Sequence, residues 1–216
     1  MSTLLLRLAG PMQSWGVDSK FDVRRTGREP SKSGVLGLVA AALGIPRQDR
    51  AALQALASLR FGVRVDREGV MMRDYHTARA EGGSAYVTHR YYLADAAFAA
   101  GLESGDRGQL EQIAQALHAP AFPLYLGRRS CPPVGRVFLA ILDLPLEAAL
   151  RANAPAEATR LVMDAESGEP GELTRDVPVS FDPRRREYGY RIVTERFMQT
   201  APAHDPMAEL EGRVCT

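Results

Sequence analysis

The chain has 216 residues, 45% hydrophobic and 25% charged, with a formal net charge of +1. That is the profile of a globular protein of one domain, or one domain with a small appendage, able to bury a proper core. Two cysteines, Cys131 and Cys215, are too few for a disulfide framework and point to a reducing cytoplasm. The apolar run Leu4-Leu5-Leu6 is broken by Arg7 and is too short for a signal sequence or a membrane span, so no membrane partner is expected.

Thr3 to Ala9 reads as a short buried strand, followed by a glycine-bounded loop, Gly10 to Gly16, that displays the only tryptophan. Ser33 to Leu43 is apolar almost all round and predicts a buried helix. Pro30, Ser31 and Ser33 mark its start, Gly44 and Pro46 its end. Asp49 is a candidate N-cap for a second helix that buries Leu53, Leu56 and Leu59. Phe61 to Asp66 alternates with period two, the pattern of a half-buried strand. Residues 71 to 93 carry two polar-aromatic arms around a flexible centre at Gly82-Gly83, which predicts a long hairpin projecting from the body.

Ala96 to Leu102 reads as the next strand. Asp106 to His118 is an amphipathic helix with Leu110, Ile113, Ala114 and Leu117 on one face, stopped by Pro120. Val137 to Leu142 reads as a buried strand. The succession strand, helix, strand, strand, helix, strand is a ferredoxin-like pattern in an α+β protein. We expect residues 1–144 to form that domain, with the hairpin at about 71–93 as its appendage. Beyond Pro145 the chain turns acidic and rich in proline and glycine, with strands near Leu161–Met163 and Tyr188–Phe197. Residues 145–216 are expected to form a smaller, β-rich region packed on the first.

The neutral total hides segregated charge. Lys20 to Lys32 holds five basic and two acidic residues, Arg128 to Arg136 three basic and none acidic, and Asp143 to Asp176 eight acidic residues against three arginines. Such patches fit a protein that touches polyanion on one face and other proteins elsewhere. Leu126-Gly127-Arg128-Arg129-Ser130-Cys131-Pro132-Pro133 places two planar, permanently charged guanidinium groups and a hydroxyl before a double proline. A solvated turn and a phosphate grip both fit that octapeptide.

Ser31, Lys32 and Ser33 stand at the start of the predicted first helix. Exposed amides and the helix dipole favour an anion there, and the lysine and hydroxyls add donors; plain N-capping is the other reading. Gln13, Ser14 and Trp15 form a loop that either packs or offers a stacking surface with donors to base edges. Tyr75, His76 and Arg90, with the neighbouring aromatics, crowd the hairpin and suit either a wedged nucleotide or a protein contact. His76, His89, His118 and His204 lack metal-ligand spacing, and no metal or other cofactor is expected.

Several blocks together resemble one family. Leu6 to Gly16, Arg25 to Arg28, Pro30 to Leu38, Arg73 to Thr77 and Tyr125 to Pro132 are similar, in correct order, to motifs of the CasD family. These are RAMP-type subunits of the type I-E CRISPR Cascade complex, and the likeness fades beyond about residue 145. The resemblance implies a ferredoxin-like body with a hairpin thumb that holds the 5′ handle of CRISPR RNA. It implies two protein partners, the Cascade backbone subunit whose filament it caps and the large subunit, with target DNA met only through the complex. Carried onto this chain, Gln13, Ser14, Trp15, Arg24, Arg25, Thr26, Ser31, Lys32, Ser33, Tyr75, His76, Arg90, Arg128, Arg129 and Ser130 are the implied RNA contacts. Type I-C relatives cut precursor RNA with a Tyr-Lys-His set. This chain has only Lys20 and Lys32 and no Lys-His pair, so a non-catalytic subunit is expected and a metal-independent endoribonuclease is the alternative.

Overall fold

The computed structural model describes residues 1–16, 22–79 and 83–198; Lys20, Gly82, His204 and Cys215 lie outside the described residues. In chain order the elements are β1 (Ser2–Ala9), β2 (Met12–Gln13), β3 (Val23–Arg24), α1 (Lys32–Leu43), α2 (Arg50–Ala57), β4 (Arg60–Arg67), β5 (Val70–Arg79) and β6 (Ala85–Ala94). They continue as β7 (Ala97–Ser104), α3 (Arg107–His118), β8 (Phe138–Leu142), α4 (Leu146–Arg151), β9 (Arg160–Asp164), β10 (Glu172–Ser180) and β11 (Glu187–Phe197).

The main sheet has seven strands in the order β10-β11-β9-β4-β7-β1-β8. Every neighbouring pair in it is antiparallel. The near-continuous apolar run of β1 has a physical reason: the strand is covered on both faces. Leu4, Leu6 and Leu8 enter the large core beneath α1 and α3, while Leu5 points to the opposite face and packs with Leu146, Ala149 and Leu150 of α4. Arg7 stays exposed and donates to Val134 O at 2.8 Å.

Strand β4 departs from the expected half-buried alternation, since Phe61 to Val65 are all buried. It lies inside the sheet between β7 and β9, with α4 packed on its second face. Arg64 turns its guanidinium to Leu150 O and Ala152 O at the C-terminal end of α4, where a cation meets unpaired carbonyls and the negative end of the helix dipole.

The first two predicted helices form with the expected caps. Ser31 Oγ accepts from Gly34 N, Gly44 closes α1 in the left-handed region, and Asp49 caps α2. Residues after 145 add three strands beyond β4 in the same sheet and place α4 on its second face. Sequence reading missed α4 and β10, because α4 has only six residues and β10 contains Pro178, which an edge strand tolerates.

A buried charge network ties those added strands to the first helix. Lys32 donates through its backbone N–H to Asp176 Oδ2 (2.7 Å) and through Nζ to Asp164 Oδ2 (3.1 Å). Arg191 bridges both carboxylates, at 2.6 Å to Asp176 and 2.8 Å to Asp164, and Phe61 N donates to Asp164. Removing one member leaves uncompensated buried charge, so Arg191→Met is expected to lower unfolding free energy by about 3–5 kcal/mol. Arg28→Met, which breaks an exposed pair with Glu68, should change it by no more than about 1 kcal/mol. Urea unfolding of both variants checks the contrast.

Candidate nucleic-acid interface

The hairpin of β5 and β6 stands out from the body as a thumb, paired in register from Val70↔Ala94 to Arg79↔Ala85. Its outer edge strand alternates exposed and half-buried residues, the pattern of a ribbon with no core beneath it. At its root the other edge of β6 pairs with β2 and, in parallel, with β3. This second sheet draws together segments distant in sequence. The register Arg24↔Arg90 sets two arginines side by side. Arg128 then closes on them, donating from Nη2 to Arg24 O at 2.8 Å, with its guanidinium 4.8 Å from the centre of the Tyr92 ring.

The arginine loop is a closed turn. Leu126 N donates to Cys131 O and Cys131 N to Arg128 O, with Leu126 and Cys131 buried beneath. Arg129 and Ser130 project into solvent. Burial pushes the Cys131 thiol above its ordinary pKa, which keeps it neutral and unreactive. Ser14 N donates to Leu126 O, fastening the loop to the segment after β1.

That segment is buried, so of its two open readings the packed one holds, which corrects the implied RNA contacts of the Gln13, Ser14 and Trp15 side chains. Trp15 and Gln13 are fully buried and Ser14 nearly so. The Trp15 indole donates to Gln13 Oε1, and Gln13 Nε2 donates to Leu8 O and Ala96 O, leaving the amide no capacity for a base edge. Ser14 Oγ donates to Tyr91 O, and Trp15 N donates to the buried Thr26 Oγ1, which in turn donates to Gly27 O. The indole lies so close to α1 that a Cβ on Gly34 would sit 2.8 Å from it.

Lys32 needs the same correction. It is 5% exposed and its ammonium is committed to Asp164, while Asp176 occupies the backbone amide where an external anion was expected. The side chains of Gln13, Ser14, Trp15, Thr26 and Lys32 are therefore spent on internal bonds. Those of Arg24, Arg25, Ser31, Ser33, Tyr75, His76, Arg90, Arg128, Arg129 and Ser130 are exposed or partly exposed.

Arg24, Arg128, Ser31 and Ser33 line one open cleft of about 490 Å³. Ser14, Trp15, Gly16, Gly34 and Gly127 line it too, and the rest of its wall comes from residues that sequence reading passed over, Phe181, Arg186 and Tyr188; the signal was the run Arg184-Arg185-Arg186 followed by Tyr188. Among the described residues no carboxylate lines this cleft, whereas a second one is lined by Asp164, Glu166 and Glu169. Tyr75 and His76 are not brought to the cleft. They stand along the thumb, Tyr75 opposite His89, and His76 with its Nε2 2.8 Å from Asp74.

Ion pairing is uneven among the arginines, and some far from the cleft, such as Arg7, Arg47 and Arg136, also form none among the described residues. Arg60, Arg64, Arg160, Arg191 and Arg196 on the body each meet a carboxylate. Arg24, Arg25, Arg90, Arg128, Arg129 and Arg186 form no ion pair among the described residues. Arg90 Nε and Arg128 Nη1 are buried atoms without a hydrogen-bond partner among those residues. Adjacent unpaired guanidinium groups repel one another and leave donors unmet, and phosphate oxygens relieve both costs.

Gly127 sets the loop's position. Its φ is +86°, and a Cβ there would fall 1.8 Å from Ser14 O. Gly127→Ala must push the loop off the Trp15 segment and pull Arg128 from Tyr92. The expected outcome is a lower melting temperature together with weakened RNA binding, read by thermal denaturation and an RNA titration; unchanged values for both would contradict the close approach.

The family described as CRISPR-associated protein (Cas_Cas5) matches residues 3–194. The CRISPR system Cascade subunit CasD of Escherichia coli (strain K12) is 42% identical over an alignment of 157 residues, the match covering 64% of this chain and 70% of that protein. A solved structure described as a Cas protein is similar with a TM-score of 0.71 at 42% identity, covering 90% of this chain and 94% of the other. A chain of a CRISPR RNA-guided surveillance complex gives a TM-score of 0.75 at 34% identity, over 91% of this chain and 90% of that one. With matched residues running from β1 into β11, the chain belongs to the Cas5 family of CRISPR-associated proteins.

Proposed function

We propose that this chain is a non-catalytic RNA-binding subunit of a type I-E CRISPR interference complex. It holds the 5′ handle of the CRISPR RNA and caps the backbone filament beside the large subunit, meeting target DNA only through the assembly. The observation that carries this reading is the set of arginines that, among the described residues, have no carboxylate partner and line a cleft with no carboxylate in its wall. The likeness to CasD and to a chain of an RNA-guided surveillance complex supports it. A ferredoxin-like core is part of the same reading, supported by the neighbour order β4-β7-β1-β8, which is second, third, first and fourth strand of a βαββαβ unit.

The thumb fits the assembly role. Tyr75, Tyr86 and Val87 are large apolar groups held half or more exposed on a two-stranded ribbon. Such groups on a projecting arm are available to a neighbouring subunit. Deleting residues 78–85 is expected to weaken co-purification with the backbone subunit while leaving the melting temperature of the body unchanged. Full yield of complex from the deletion would contradict the assignment.

The absence of catalysis rests on the state of the lysine. Lys32 is locked to Asp164 and Lys20 lies outside the described residues, so the cation demanded by a Tyr-Lys-His centre has no described candidate. Incubation with repeat RNA is expected to leave it intact; fragments ending in a 2′,3′-cyclic phosphate would establish the endoribonuclease instead.

Phosphate contacts have a separate signature. Each one lost through Arg128→Ala or Arg129→Ala should lower the slope of log affinity against log salt by about 0.7, the single-strand value. The loss should be the same for any spacer, because phosphate contacts carry no base information. A guanine-reading arginine would instead cost about 1–3 kcal/mol and depend on that base. Unchanged slopes in both variants would remove the phosphate assignment.

A further inference from the structure

We infer that the turn between β10 and β11 is the second wall of the RNA site, so that one single-stranded nucleotide is held between it and the arginine loop. The inference rests on the RNA-binding reading above and extends it to residues of the C-terminal strands. The cleft of about 490 Å³ lies within the roughly 300–1,000 Å³ range of small-ligand sites.

The turn is built to hold its shape. Asp182 accepts from Arg184 N through its carboxylate and from Arg185 N through its carbonyl, while Asp182 N donates to Ser180 Oγ. Arg185 is neutralised by Glu187 at 2.6 Å, which leaves Arg186 as the turn's arginine facing the cleft. The Phe181 ring lies over α1 at Gly37, where no side chain stands; a Cβ built there would be 3.7 Å from it.

Tyr188 is half-buried in the cleft wall at the start of β11. The cleft is thus lined by two aromatic residues, Phe181 and Tyr188, together with Arg24, Arg128 and Arg186. Flat apolar faces beside cations, with no carboxylate among the described lining residues, match a nucleotide: the base stacks on a ring and its phosphate meets guanidinium groups. An acidic protein segment would satisfy the arginines but would leave the ring faces without a stacking partner.

The root of the turn is fixed by the buried network. Asp176 on β10 and Arg191 on β11 are joined to Lys32 at the start of α1, beside Ser31 and Ser33. The two walls therefore keep their separation before any ligand arrives, which reduces the ordering cost of binding.

The test titrates the purified full chain, and its variants, with a labelled eight-nucleotide single-stranded RNA at several salt concentrations. Tyr188→Ala is expected to weaken binding about tenfold with an unchanged salt slope, the signature of a lost stacking surface, and Tyr188→Phe should restore it. Arg186→Ala should reduce the salt slope by about 0.7, whereas Arg184→Ala, outside the cleft, should leave it unchanged. Thermal denaturation identifies any variant that merely fails to fold. If Arg128→Ala weakens binding while Arg186→Ala and Tyr188→Ala do not, the second wall is overturned and RNA binding stands. If the turn variants instead lose association with a protein subunit at normal RNA affinity, the wall belongs to a protein contact and the inference fails. If the wild-type chain does not bind RNA, the underlying reading falls with it.

Discussion

The hydrogen bond from the Trp15 indole to Gln13 Oε1 holds the arrangement on which the candidate interface depends. Through these two residues and Ser14 the chain fastens β1, the thumb strand β6, the arginine loop, the segment at Thr26 and Gly27, and the start of α1. Burying an indole with its N–H satisfied is worth several kcal/mol, since deleting such a ring costs about 3–5 kcal/mol. That exceeds the repulsion of about 1 kcal/mol or less expected from one pair of like charges opposite each other on strands. The hydrophobic and hydrogen-bonded hub thus carries the arginine face at a net gain, before any polyanion is present.

Charge is handled in two contrasting ways in this molecule. Beneath the surface, Lys32, Asp164, Asp176 and Arg191 form a closed set in which every charge has a partner. On the surface near the thumb, Arg24, Arg90 and Arg128 converge with a ring face and a carbonyl as their described neighbours. A cation over a tyrosine contributes about 0.5–1 kcal/mol and leaves the outward donors free. The first arrangement stabilises the union of the C-terminal strands with the body. The second leaves cations without carboxylate partners among the described residues, the feature on which the proposed RNA contact rests.

Much of the fold is legible in the residues because local chemistry and tertiary environment agree. Asp49 and Asp106 cap helices, and Leu110, Ile113, Ala114 and Leu117 form one buried face. The alternating polar ribbon of the thumb says that no core lies beneath it. The site was legible only in part. Trp15 on a loop with glycine, proline and serine looks like an exposed platform, and nothing local reveals that Gln13 folds back to satisfy its indole. Lys32 looks like a free donor because its partners lie 132 and 144 residues further along the chain. In both cases the contacts that decide between the two open readings, Gln13 to Ala96 and Lys32 to Asp164 and Asp176, are long-range, which composition and periodicity cannot register. The same cause hid Arg186 and Tyr188, which reach the cleft only because β9, β10 and β11 extend the sheet past β4.

The most direct test of the account is photochemical cross-linking of a 4-thiouridine-substituted CRISPR RNA to the chain within the assembled complex, with the linked peptides sequenced. The account predicts cross-links in residues 22–26, 89–92 and 125–131. Cross-links confined to the acidic cleft around Glu166 and Glu169, or to the outer faces of α2 and α3, would contradict it.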